Sequence, residues 1–190
     1  MDGTEKLRQD LEILTAMAAG MSQYLLSKTM FQMLQRNMPQ LTLGGYLMRQ
    51  HRLLALQDIA LAEVEQNKLA QAIDLFEQAL VGKGAYFEQK CQRELDSRLR
   101  QWGEYLNEVE RDQSGNADFY PARVEIRAMI TTLCNALPVP TSNSMTRLVA
   151  LDDRLGQIWR AGQFVWPSTW QPVYPSDTFW WLYGSIAKSA

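Results

Sequence analysis

At 190 residues, with 46% apolar and 21% charged side chains, the chain is long enough to bury a core and too apolar to be disordered. Nineteen basic residues against 21 acidic ones leave a formal charge of -2 and a sequence pI near 5.5, which removes the basic excess that phosphate-backbone binding requires; no nucleic acid is expected as a partner. The N-terminal MDGTEKLRQDLE is polar and acidic, unlike a secretory signal or transit peptide, and no window of about 18 residues is apolar and uncharged. The expectation is a cytoplasmic protein for which a membrane is an unlikely partner.

In chain order, Leu7, Leu11, Leu14, Ala18, Met21 and Leu25 step by four and three, which predicts a first helix over about 5 to 36 with Thr4 as its cap. Asn37 and Pro39 close it. Thr42 caps a second helix through Tyr46, Leu53, Leu61 and Val64, interrupted at Asn67. Leu69, Ile73, Phe76 and Leu80 continue the helical step to Gly82 and Gly84. This pair reads as a helical hairpin or one kinked helix. Phe87, Cys91, Leu95, Leu99, Trp102, Leu106 and Val109 share one face of a helix over 85 to 112. Asp112 to Asn116 is a turn cluster, and Pro121 opens a helix that Pro138 and Pro140 end. Thr141 to Ser144 caps a last long helix through Leu148, Leu151, Leu155 and Ile158. Strand-like alternation never persists, so the fold class expected is all-α, a bundle of five or six helices over 1–163.

Residues 164–190 form an irregular, aromatic and proline-rich segment of the same domain. Phe164, Trp166, Trp170, Tyr174, Phe179, Trp180, Trp181 and Tyr183 are interleaved with Pro167, Pro172 and Pro175, which forbid a continuous helix to about 176. A short final helix over Phe179 to Ile186 follows, capped by Ser176 or Asp177. The segment reads as a lid that buries its rings, as a docking surface, or as an interfacial membrane anchor, the last weakened because only Lys188 supplies charge nearby.

No pattern points to catalysis, to a cofactor or to a metal. His51 is the only histidine, and Cys91 and Cys134 lack paired spacing and read as buried free thiols. Glu94, Arg98 and Trp102 lie at four-residue spacing and read as part of a surface ion-pair stripe. Asp152, Asp153 and Arg154 read the same way, and Arg123 with Arg127 holds an anion only with a tertiary partner. Gly44 and Gly45 read as close packing rather than as an anion site. Met17, Met21, Met30, Met33, Met38 and Met48 read as core filling, with a methionine-rich surface that adapts to a partner as the alternative.

Leu69 to Leu80, with Ala72, Phe76 and Ala79 at the small and aromatic positions, resembles the second helix of a tetratricopeptide repeat. The resemblance covers residues 54 to 80. Its first helix departs from the pattern at Ala60 and Glu63, and no second copy follows at the family's spacing, so it reads as convergence on helix packing. The expected function is a non-enzymatic interaction module that holds a protein partner or self-associates through Trp166, Trp170, Tyr174, Trp180 and Trp181. The alternative is a small-molecule-binding or enzymatic bundle with a pocket beneath the segment, lined by Trp102 and Trp159 with Arg98 or Arg127 as polar contact.

Overall fold

The structure is a computed structural model that describes residues 2–35 and 37–187, so Lys188 lies outside the described residues. It is all-α, with six long helices, one four-residue helical turn and a single two-stranded pairing among the described residues. The chain divides into two units, Met1–Glu94 and Leu95–Ala190.

In the first unit, α1 spans Gly3–Leu26, α2 Leu43–Ala60 and α3 Glu63–Leu80, followed by the opening of α4, Gly84–Arg111. Asp2, not Thr4, caps α1, its carboxylate accepting the Glu5 amide at 2.8 Å. The helix stops at Leu26 rather than near 36 because other groups claim the backbone beyond it. Lys90 Nζ donates to the carbonyls of Ser27 and Thr29 at 3.0 and 2.7 Å, and the Tyr24 hydroxyl donates to that of Met30 at 2.8 Å. Gln32 and Leu41 then pair as an isolated bridge. The periodic signal saw only the apolar stripe and was blind to these partners.

The second and third helices form a hairpin, one of the two readings left open by the sequence, and its break falls at Leu61 and Ala62 instead of Asn67. Glu65 accepts the Ala62 amide at 2.8 Å, and Gln66 donates to the Gln57 and Leu61 carbonyls, so polar side chains close the turn that no Gly or Pro announces. At the far end, Gly82 takes φ +68°, a left-handed conformation that stops α3 and that side chains disfavour. The stripe Leu7, Leu11, Leu14, Met17 and Met21 is buried, and Tyr46 stacks on Phe76 at 4.3 Å. Ala72, Phe76 and Ala79 are buried on α3. The methionines divide: Met17, Met21 and Met48 fill core, whereas Met33 is exposed and Met30 and Met38 sit half-buried in the loop after α1.

The second unit holds the rest of α4, α5 over Gln113–Asn116, α6 over Tyr120–Ala136 and α7 over Ser142–Ile158. Pro121 occupies the first turn of α6, where its missing amide costs nothing, and Thr141 caps α7 through the Ser144 amide. The turn cluster winds into α5 because Asp112 accepts the Gly115 amide at 2.9 Å. At the end of α7 the chain becomes β1, Trp159–Ala161, which pairs antiparallel with β2, Gly184–Ile186. The predicted final helix over Phe179 to Ile186 is therefore absent. Only a single 3-10 turn, Trp180–Leu182, forms before β1 claims the backbone of Gly184–Ile186. No helix among the described residues is long and apolar enough to cross a membrane.

Candidate functional site

The aromatic segment is a loop closed at its base. Beyond the β1–β2 pairing, the Gly162 amide donates to the Tyr183 carbonyl at 2.8 Å, Val165 to Leu182 at 2.9 Å and Ala187 to Ile158 at 2.9 Å. Prolines shape the rest: the Pro167 carbonyl accepts the Trp170 amide at 2.9 Å, and the Pro175 carbonyl accepts that of Phe179 at 2.8 Å. Two side chains fasten the loop further. Buried Tyr120 donates its hydroxyl to the Trp181 carbonyl at 2.5 Å, and Tyr183 donates to the Tyr174 carbonyl at 2.6 Å. Burial pushes the Tyr120 hydroxyl well above the ordinary phenol range, so it stays a donor.

The predicted rings part into two sets. Trp170, Tyr174, Phe179 and Trp181 are buried and act as the lid's underside. Phe164, Trp166, Trp180 and Tyr183 are only half-buried. Trp166 is held by its indole N–H, which donates to the Pro121 carbonyl at 3.1 Å, and by ring contacts to Trp170 at 6.2 Å and Tyr174 at 5.0 Å. Phe164 joins it at 6.5 Å and touches Tyr183 at 5.1 Å, while Trp180 meets Trp159 edge-on at 5.1 Å. Edge-to-face packing around Trp166 and Trp180, with the tilted Phe164–Tyr183 contact, restricts the ring planes, so the half-exposed faces are held in place.

Of the polar candidates, Arg127 is brought to the segment and spent there. Its guanidinium grips both oxygens of Asp152, at 2.8 and 2.7 Å, donates to Thr131 at 2.7 Å and lies 3.8 Å over the Trp181 ring. The tertiary partner that the sequence required for Arg127 is thus Asp152 of the same unit, not an external anion. Arg98 is half-buried and donates to Gln101 at 3.1 Å. Trp102 is fully buried, 5.4 Å from Tyr105 and 6.5 Å from Tyr120.

The supposed surface stripe on α4 needs correction. Glu94 is fully buried, accepting the Leu43 and Gly44 amides at 2.8 and 3.2 Å, and Trp102 is equally enclosed. The helix that carries them buries a broader face than the apolar pattern outlined. Glu94 also accounts for the glycine pair: the anion at the N-terminus of α2 is a carboxylate of this chain. A Cβ at Gly45 would lie 2.9 Å from Thr42 Oγ1, so a side chain there would displace the capping hydroxyl.

Asp10 is a second buried charge that the sequence did not single out. It binds Arg49 Nε at 3.0 Å and Arg52 Nη1 at 2.5 Å, and Arg52 is almost wholly enclosed. Its place on the apolar stripe between Leu7 and Leu14 was the available signal, because a charge on a core-facing stripe must find a partner. His51, between the two arginines in sequence, is exposed.

Cys91 is enclosed, and burial, reinforced by Glu94 and Glu88, pushes its thiol upward; Cys134 is half-buried rather than buried and is shifted in the same direction by burial. A thiol-specific disulfide reagent at neutral pH is expected to leave Cys91 unmodified in the folded protein and to label both residues in denaturant. Fast native labelling of Cys91 would contradict this packing.

No group of His, Cys, Asp or Glu among the described residues is arranged to hold a metal ion. No protein-family model, curated protein or solved structure matches the chain.

Proposed function

We propose that the chain is a non-enzymatic interaction module that docks a protein partner, or a second copy of itself, through the half-exposed rings of the closed loop. The observation that carries this reading is the combination of exposure and rigidity around Trp166. Its indole is fixed by the Pro121 carbonyl and by neighbouring rings, yet Phe164, Trp166 and Tyr183 remain half-open. A large ring already ordered before contact loses little conformational freedom on binding, which is why tryptophan and tyrosine dominate binding hot spots. Trp180, edge-on to Trp159, extends the same chemistry.

The test measures self-association by sedimentation equilibrium and the affinity for any identified protein partner by calorimetry. Trp166→Ala and Trp180→Ala are expected to weaken the complex by about 2 kcal/mol or more each, with only a modest fall in the thermal midpoint because both rings are half-buried. Trp181→Ala, beneath Arg127, is expected to lower the midpoint further. A module whose association is indifferent to both half-exposed tryptophans does not dock through this loop.

A further inference from the structure

A groove of about 290 Å³ runs between α4 and α7 within the second unit, on a surface that the aromatic loop does not form. The two helices run in the same direction. Ser144 donates to Asp96 at 2.6 Å, and further along Arg154 reaches Glu110 and Asn107 at 2.9 and 2.7 Å. These cross-links join residues 44 to 48 positions apart. The same offset sets Arg100 and Arg147 on opposite walls at a common level, and both line the groove.

The floor is Gly103. A glycine inside a helix is unfavourable relative to alanine, and here it has a steric reason. A Cβ would sit 3.3 Å from Leu151 Cδ2 and 4.0 Å from Arg147 Nη2, so the missing side chain lets α7 approach and leaves room beneath the Arg147 guanidinium. Three guanidinium groups therefore converge on a space with few counter-charges. Arg154 is matched by Glu110. Arg100 donates only to the Ser97 hydroxyl, at 3.4 Å, and Arg147 makes no ion pair among the described residues. Glu104 is the one carboxylate lining the groove, which leaves one positive charge in excess.

Like charges lining one groove repel, and a bridging anion converts that repulsion into attraction. The planar fork of a guanidinium matches the paired oxygens of a carboxylate or phosphate, and the volume is close to the lower end of small-molecule sites. We infer that this groove binds a small oxyanionic ligand, clamped between Arg100 and Arg147 over Gly103. It is independent of the docking loop, since none of its residues belongs to that loop.

Amide chemical shifts of the full chain, followed during titration at constant ionic strength, test the inference. The probes are inorganic phosphate, glycerol phosphate and succinate, with chloride as control. Saturable shifts at Gly103 and Arg147 are expected, with a Kd at or below about 1 mM for at least one oxyanion, and the three probes separate phosphate from carboxylate chemistry. Arg100→Gln and Arg147→Gln should each weaken binding about tenfold or more, with Arg147→Lys intermediate because it keeps the charge without the fork. Both arginines are exposed, so thermal midpoints should not move. Shifts that never saturate, that chloride reproduces, or that survive both glutamine variants would overturn the site.

Discussion

Replacing Asp10 with alanine is expected to cost the first unit about 3 to 5 kcal/mol. Asp10 is 7% exposed and binds Arg49 and Arg52 through separate oxygens, and Arg52 is 1% exposed. Taking the acid away leaves one enclosed guanidinium and one half-enclosed one facing each other without their shared counter-ion. The cost is mostly that of stranded charge, not of the lost attraction itself, and this gives the experiment its internal control. An Asp10→Leu, Arg52→Met double variant removes both ends of the enclosed pair and should recover a good part of the loss, as apolar replacements of buried ion pairs do. Urea unfolding followed by circular dichroism reads both. A loss under about 1 kcal/mol for Asp10→Ala would mean that the arginines find other partners.

The second large effect is at Gly184. A Cβ at this position would clash with the Arg160 carbonyl and the Trp159 ring. Neither can yield cheaply, because Arg160 is paired in β1 and Trp159 is packed against Trp180. Gly184→Ala is expected to cost about 3 kcal/mol and to open the loop at its base. The outcome is read as new proteolytic cleavage between 162 and 183 and as a shift in tryptophan emission. Gly162→Ala supplies the contrast: its Cβ would rest 3.7 Å from Gly184 Cα, an ordinary contact, and the pairing should survive. Equal behaviour of the two variants would refute the steric account.

Much of the architecture was legible from spacing. The extent of α4, Thr42 and Thr141 as caps, Pro121 in a first turn and the left-handed stop at Gly82 all follow from local rules that tertiary context left alone. Several of the misreadings share a cause. They lie where a group distant in sequence takes over part of the backbone or a charge. Lys90 ends α1 through carbonyls more than sixty positions away in sequence, Glu94 fills the N-terminus of α2, and β1 converts a predicted helix into β2. Helical periodicity reports which face is apolar, and it carries no information about such partners. The aromatic segment shows the same division. Composition located it, but whether a given ring is lid or surface depends on loop closure. Trp170 and Trp181 are buried while Trp166 and Trp180 are half-open, although the four are chemically alike.

The clasp at the base of the loop also governs how the segment comes undone. A bare ribbon frays residue by residue from its free end, whereas a noose fastened at 159–161 and 184–186 stays shut until the knot itself slips. Once it slips, the hydroxyl tether at Tyr120 and the stack over Arg127 lose their anchorage together, so release is expected to be all-or-none, and a partner gripping the outer rings would tighten the whole noose at once.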